Sequence, residues 1–485
     1  MPTIQGRYPY RDRLTAAKQV SGAPFVTLGA YDLADLGYTL REFFVTGTAV
    51  SYKPDGTPPS DGCWDLRVNE EAPFTTRIFV ITPTEHARFN GSVVVEWLNV
   101  SSGRDAAVEW RMTHRALVRE GFAYVGVSAQ KVGVEGGPSL GTTVMPLKDA
   151  NPVRYAELTH PGDAFSYDIF SQIGEILRAP GAGELLGPLV PQRLIAAGVS
   201  QSAMYLTTYV AVIDMVAPVF DGFLVHSRFG YGAGLDGQYA LRPSPESVLM
   251  GLKLPSDLRV PVLTVITETD LIGDSPPGYH IARQPDAKNL RIWEIAGSAH
   301  ADNYIFVGGA MDSGFASIDE LAAAYAPINN LGSQPLRYPV NFGPQQHYVT
   351  EAALVALDRW IQTGAAPPTA PPLQMEEEPA PGERPRLARD FHGIALGGVR
   401  TPWVDVPTAR LAGTGNSGPP GAWIVGVGEP FDLAKLNELY PGGQAQYMDQ
   451  FEVALTAAIQ AGFILPEDRQ EILNVADFSF KRGPP

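Results

Sequence analysis

One cysteine, Cys63, stands in a chain of 485 residues. That excludes an intramolecular disulfide and any zinc cluster built on thiolates, and Cys63 reads as a core or sub-surface residue rather than a nucleophile. Positive charge is scarce too: 36 Lys and Arg against 52 Asp and Glu leave a formal charge of −16. Such a balance argues against a nucleic-acid partner, whose phosphates demand concentrated cations, and against attraction to an anionic membrane. No run approaches the ~18 apolar residues of a membrane span. The opening residues MPTIQGR lack the apolar stretch of a secretory signal, so the expected location is cytoplasmic. There is no H-E-x-x-H, no spaced Cys/His set and no calcium loop. The glycine-rich stretch 133–141 lacks the phosphate-binding G-x-x-x-x-G-K pattern. Neither a metal nor a cofactor is expected.

What is present is material for a large core. Hydrophobic residues make up 45% of the chain, charged ones only 18%, and 43 Pro with 50 Gly imply many ordered loops. Residues 39–50 (TLREFFVTGTAV) and 75–82 (TTRIFVIT) cluster β-branched and aromatic side chains, with turn residues Pro54, Asp55, Gly56, Pro58 and Pro59 between them. Residues 1–90 are therefore expected to be a β-rich part packed on the core. Strands then alternate with helices: strands at 92–98, 123–127, 193–197, 222–226, 261–267 and 290–295, helices at 106–119 and 164–178. Strands apolar throughout, alternating with helices, predict an α/β core over residues 91–365 with a mostly parallel sheet covered on both faces. Ligands are then expected beyond the carboxyl ends of the strands. Residues 227–260, rich in Gly, Pro, Tyr and Phe, read as a cap-like insertion. A helix is expected at 349–363, then an irregular Pro/Glu-rich connection in which Glu376, Glu377 and Glu378 read as a solvated face. Residues 366–485 read as a C-terminal extension packed on the core, helical at 432–439 and 447–461.

The run LIAAGVSQSA at 194–203 carries the chemistry. A short apolar strand meets a small-residue turn centred on Ser200, and a helical stretch follows at once. Such a turn lifts a serine hydroxyl clear of the sheet and aims backbone N–H groups at an oxyanion. Gly198 meets the need for small flanking residues; Ser202 stands where a second glycine is commoner. A serine nucleophile needs a base. His300 lies just past the last strand, on a loop at the same sheet edge as Ser200, where an imidazole can take the serine proton and return it to the leaving group. The strand before it ends in Glu268-Thr269-Asp270, which offers two carboxylates to fix the imidazole tautomer. Asp270, two residues into the loop, is preferred; Glu268 is the alternative.

The order Ser200, Asp270, His300 after successive strands resembles the α/β-hydrolase superfamily. The runs EWLNVSSG, GVSQSA, ITETDL and RIWEIAGSAHAD resemble its long "alpha/beta hydrolase domain-containing" branch, over roughly residues 40 to 365. The resemblance implies an oxyanion hole using the N–H of Gln201 and a second N–H from the loop 99–103, with Val100 as first choice and Asn99 or Ser101 as alternatives. It implies a serine carboxylic-ester hydrolase acting through an acyl-enzyme on a small or medium, fairly apolar ester or lactone. The alternatives are an acyltransferase using the same acyl-enzyme and a non-catalytic ligand-binding protein on this scaffold. His226, at a strand end, is a candidate pocket residue with a structural role as its alternative; Phe229, Tyr231 and Tyr239 are candidates for a pocket wall. Asp302 is expected to order the His300 loop by bonding backbone N–H groups. Glu96, inside an apparent buried strand beside Trp97, must be paired or hydrogen-bonded there.

Overall fold

Strands that are apolar on both faces can be stable only between two layers, and the middle of this chain builds that arrangement. The structure is a computed structural model that describes residues 13–56, 64–141, 144–179, 183–242, 249–274, 276–376 and 384–482. Cys63, Pro58, Pro59, Glu377 and Glu378 lie outside them, as do residues 243–248 of the insertion. The strands are β1 (Leu14–Val20), β2 (Tyr38–Pro54), β3 (Leu66–Pro83), β4 (Ser92–Trp97), β5 (Ala123–Val127), β6 (Arg193–Val199), β7 (Gly222–His226), β8 (Val262–Thr267) and β9 (Leu290–Ile295). Among the described residues they form one nine-stranded sheet of order β1-β2-β3-β5-β4-β6-β7-β8-β9. β1, β2, β3 and β5 pair antiparallel in turn. From β5 through β4, β6, β7 and β8 to β9 every pair is parallel. The β-rich N-terminal strands thus extend the same sheet as the α/β part.

Side-chain alternation along each central strand splits the apolar residues between two cores. Val93, Val95 and Trp97 join Leu194, Ala196, Phe223 and Val225 on one face. Val94 joins Ile195, Ala197 and Leu224 on the other. The first face is covered by Ile169, Phe170 and Ile173 of helix α2 (Ser166–Arg178) and by Met204 of α3 (Gln201–Thr208). The second is covered by Trp110 and Leu117 of α1 (Val108–Glu120) and by Val349, Leu354 and Leu357 of a later helix, α5. Between α3 and α5 (Gln345–Thr363) comes the short α4 (Glu268–Ile272). The insertion is tied onto the first layer: Tyr167 Oη and Thr208 Oγ1 both donate to Ala233 O, at 3.0 and 2.7 Å.

Among the elements not anticipated are an edge strand and a C-terminal helix. β1 is a short edge strand, too polar in sequence (LTAAKQV) to stand out. Helix α8 (Arg469–Arg482), after α6 (Leu433–Leu439) and α7 (Gly443–Gln460), carries a narrow stripe of Ile472, Val475 and Ala476 inside a charged segment. Ion pairs dock its region on α1, Arg115 with Glu471 and Arg119 with Asp468. Among the described residues no helix is long and apolar enough to cross a membrane.

Glu96 explains how a carboxylate sits within β4. Its two oxygens accept from the backbone N–H groups of Glu109 (3.0 Å) and Trp110 (3.1 Å) and from the Tyr124 hydroxyl. The first turn of α1, whose N–H groups lack helical acceptors, is thus capped from the sheet. Burial pushes the Glu96 carboxyl up from 4.5 to about 8, with the nearby Glu109 adding to the shift. A raised folded pKa gives stability that is full below the unfolded carboxylate range and is lost as pH rises through about 8. Urea midpoints measured from pH 5 to 9 are expected to fall more steeply for the wild type than for Glu96→Gln, which carries no titrating proton. Parallel slopes refute the assignment.

Candidate active site

β4 and β6 are neighbours in the sheet, yet the chain leaves β4 toward β5 on one side and β6 toward β7 on the other. A crevice opens at such a switch point, outside the carboxyl ends of the strands. Ser200 sits there, between the last residue of β6 and the first of α3, with φ 60° and ψ −117°. Ser227 is the other non-glycine residue at positive φ among those described. The strained turn is held by a hydrogen bond from Ser200 N to His226 O (3.0 Å) on β7. A Cβ on Gly198 would stand 3.1 Å from Ser202 O and 3.4 Å from Ala203 N, so glycine there lets strand and helix close together. Ser202 serves where glycine was expected because its hydroxyl turns back on the strand end, donating to Val199 O and accepting from Val199 N, both at 2.9 Å.

The structure brings Ser200, His300 and Asp270 together. Ser200 Oγ lies 2.8 Å from His300 Nε2, and His300 Nδ1 lies 2.6 Å from Asp270 Oδ1. With Nδ1–H donating to the carboxylate, Nε2 is left to accept the serine proton. Asp270 is oriented by a reciprocal cap on α4: its Oδ2 accepts from Thr267 N (2.8 Å) while its own N–H donates to Thr267 Oγ1 (3.2 Å). The Thr-x-x-Asp spacing of that cap is the capping-box pattern. Glu268 faces elsewhere. It accepts from Gly297 N (2.7 Å), Gly413 N (2.9 Å) and the Arg389 guanidinium (2.9 Å), and so joins the His300 loop to the C-terminal extension. Thr269 Oγ1 accepts from His300 N (3.1 Å), fixing the backbone of the loop as well.

The three candidates for the second oxyanion donor separate by their partners. Asn99 N donates to Ala106 O (3.0 Å) and Ser101 N to Asn99 Oδ1 (2.9 Å). Val100 N has only the Gln201 side-chain oxygen, at 3.5 Å, a distance at the edge of hydrogen bonding. Asn99 Nδ2 meanwhile donates to Val199 O (2.9 Å), pinning this loop to the Ser200 turn. Gln201 N opens α3, where first-turn N–H groups have no helical acceptor.

Of the expected pocket residues, Phe229 stands beside the site, its ring 5.1 Å from that of His300. His226 takes the structural position that was its alternative. Its ring is fully buried beneath the turn, with Nδ1 3.0 Å from Glu109 Oε2. Tyr231 is buried as well and donates its hydroxyl to Ala240 O (2.7 Å), packing the insertion onto itself. Asp302 accepts from Ile305 N (3.1 Å) within the loop, and burial raises its carboxyl to about 7. Trp423 went unnoticed in the sequence. It comes from the C-terminal extension and lies 6.0 Å from Phe229; one aromatic in a glycine-rich run gives no signal of that placement. The backbone beside it is bound to the His300 loop, Ala301 N donating to Ile424 O (3.0 Å).

A serine on a strained strand-to-helix turn at the switch point, with a histidine loop beyond the last strand, defines an α/β-hydrolase. The chain belongs to the alpha/beta hydrolase domain family, whose model matches residues 9–474. No curated protein matches it. Solved structures that match include a mutant of the esterase rPPE, 13% identical over 67% of this chain and 86% of that one, with a TM-score of 0.35. The Pyrococcus furiosus esterase Pf2001 matches at 13% identity over 56% of this chain and 88% of its own, with a TM-score of 0.30.

Strain at Ser200 makes a stability prediction. Residues held at such backbone angles cost about 1–3 kcal/mol, and glycine removes most of that cost. Ser200→Gly is expected to unfold about 1 kcal/mol harder than Ser200→Ala. Equal stabilities in denaturant titration would show the turn to be unstrained.

Proposed function

We propose that the protein is a serine carboxylic-ester hydrolase acting through an acyl-enzyme on a small or medium, fairly apolar ester or lactone. The observation that carries this reading is the continuous hydrogen-bonded chain Ser200 Oγ–His300 Nε2, 2.8 Å, and His300 Nδ1–Asp270 Oδ1, 2.6 Å, at the carboxyl edge of the sheet. Ser200 Oγ attacks the acyl carbon while its proton passes to His300 Nε2. The imidazolium so formed is stabilised by the Asp270 carboxylate, which is fully buried and held by the cap on α4. The tetrahedral oxyanion is received by the N–H groups of Gln201 and Val100; loss of one such donor costs about 3 kcal/mol of transition-state stabilisation. His300 then returns the proton to the departing alcohol oxygen as the C–O bond breaks. A water molecule, deprotonated by the same nitrogen, attacks the acyl carbon; His300 returns the proton to Ser200 Oγ as the acyl C–Oγ bond breaks, and the acid leaves. Phe229 and Trp423 supply an apolar aromatic wall beside the imidazole, which favours apolar acyl or alkyl groups. Cys63 has no part in the scheme, and no cofactor is called on.

A fluorophosphonate probe tests the assignment. An adduct is expected on Ser200, absent from Ser200→Ala and His300→Ala; a folded wild-type protein that stays unlabelled removes the hydrolase reading. Added alcohol separates hydrolysis from transfer, since an acyltransferase yields the new ester in preference to the acid.

The two carboxylates are expected to part in their effects. Asp270→Asn should lower kcat about 10⁴-fold with the fold intact. Glu268→Gln should lower the melting temperature, because it weakens the ion pair with Arg389 and the joint between Gly297 and Gly413, and lower kcat far less. If Glu268→Gln is the variant that abolishes turnover, the acid has been wrongly assigned.

A further inference from the structure

Ser200 and His300 are carried by β6 and β9, which are separated in the sheet by β7 and β8, a span of about 14 Å at three strand spacings. Their 2.8 Å contact therefore depends on two loops rising from distant strands to meeting heights. Beneath that contact runs a buried polar chain that the reaction itself does not use. His226, whose carbonyl oxygen receives the Ser200 N–H, places Nδ1 3.0 Å from Glu109 Oε2 on α1. The amide of Gln346, on the first turn of α5, matches all its neighbours in one orientation. Its oxygen then faces His226 Nε2 at 3.2 Å, and its nitrogen donates to Asp302 Oδ2 at 3.1 Å and Ala299 O at 2.9 Å. Glu109, His226, Asp302 and Gln346 are all buried. Ala299 and Asp302 flank His300, and the neighbouring Gln345 holds the same loop by donating to Gly297 O (2.5 Å). His226 is thus contacted at both ring nitrogens, by Glu109 on one side and by Gln346 on the other.

We propose that Gln346 is a positioning residue: through His226 on one side and Ala299 and Asp302 on the other, it sets the height of the Ser200 turn against that of the His300 loop. The inference rests on Ser200 and His300 being the reacting pair. Gln346 touches neither substrate nor reacting atom. Three buried groups otherwise without this partner (His226 Nε2, Ala299 O and Asp302 Oδ2) converge on it, so an apolar side chain in its place leaves both loops without their common anchor. A displacement of about 1 Å between reacting groups is enough to cost about 100-fold in rate.

The test compares Gln346→Leu with Gln346→Glu, whose protonated carboxyl can accept from His226 and donate to Ala299 O. Turnover of a p-nitrophenyl ester and the rate of fluorophosphonate labelling are followed, the latter to completion so that competent sites are counted. For Gln346→Leu the expected result is about a 100-fold loss in kcat and labelling rate, KM within about two-fold, and every site still labelled; Gln346→Glu recovers much of the rate at mildly acidic pH. Fewer sites reacting at the wild-type rate would mean Gln346 serves folding alone and would overturn the proposal, as would unchanged kinetics. Absence of labelling in the wild type would count against the hydrolase reading. The brace is then judged by a crystal structure of Gln346→Leu: separation of Ser200 Oγ from His300 Nε2 beyond hydrogen-bonding distance supports it, and an unchanged contact refutes it.

Discussion

The site depends on a single backbone conformation, the φ of 60° at Ser200. A residue with a side chain pays for that angle, and persists in it only where its surroundings leave no alternative. Here the surroundings are specific. Ser200 N is held by His226 O, and Ser202 returns its hydroxyl to both polar groups of Val199. Gly198 lets the helix close on the strand. The hydroxyl is raised above the sheet because β6 cannot turn into α3 in any relaxed way, and the proposed chemistry follows from that exposure.

A second constraint comes from carboxylates buried in one region and given different partners. Glu96 caps α1, Asp270 caps α4 and faces the imidazole, Glu268 fastens the extension, and Glu109 meets the His226 ring. A buried carboxylate is costly unless its oxygens are occupied, so each is fixed in direction by its donors. Asp270 and Glu268 stand two residues apart and have exchanged no partners. The pleat and the cap on α4 send one toward His300 and the other toward Arg389 and Gly413.

The features carried by local pattern were legible in the sequence. The alternating apolar strands predicted the parallel sheet because burial on both faces leaves a continuous apolar run, and the family match across residues 9–474 agrees with that fold. The turn at Ser200 could be read because strand, small residues and helix lie next to each other. The contacts that assemble the site could not. His226 meets Glu109 and Gln346, 117 and 120 residues away in the chain, and no spacing rule reaches so far. Trp423 gave no sign for the same reason, and β1 and α8 were missed because an edge strand and a charged helix bury too little to leave a clear periodicity.

Glu268 takes two of its three partners from residues 389 and 413, and the loop of His300 is bound to residue 424. The order in which the molecule is made therefore bears on when its site comes into being. Ser200, Asp270 and His300 leave the ribosome well before those partners, so for that interval a carboxylate meant for burial lacks most of its donors. A nascent chain in this state has its three polar groups but not the framework that holds them in register. The frame of the proposed site is thus completed late in synthesis, by a segment that contributes none of the three.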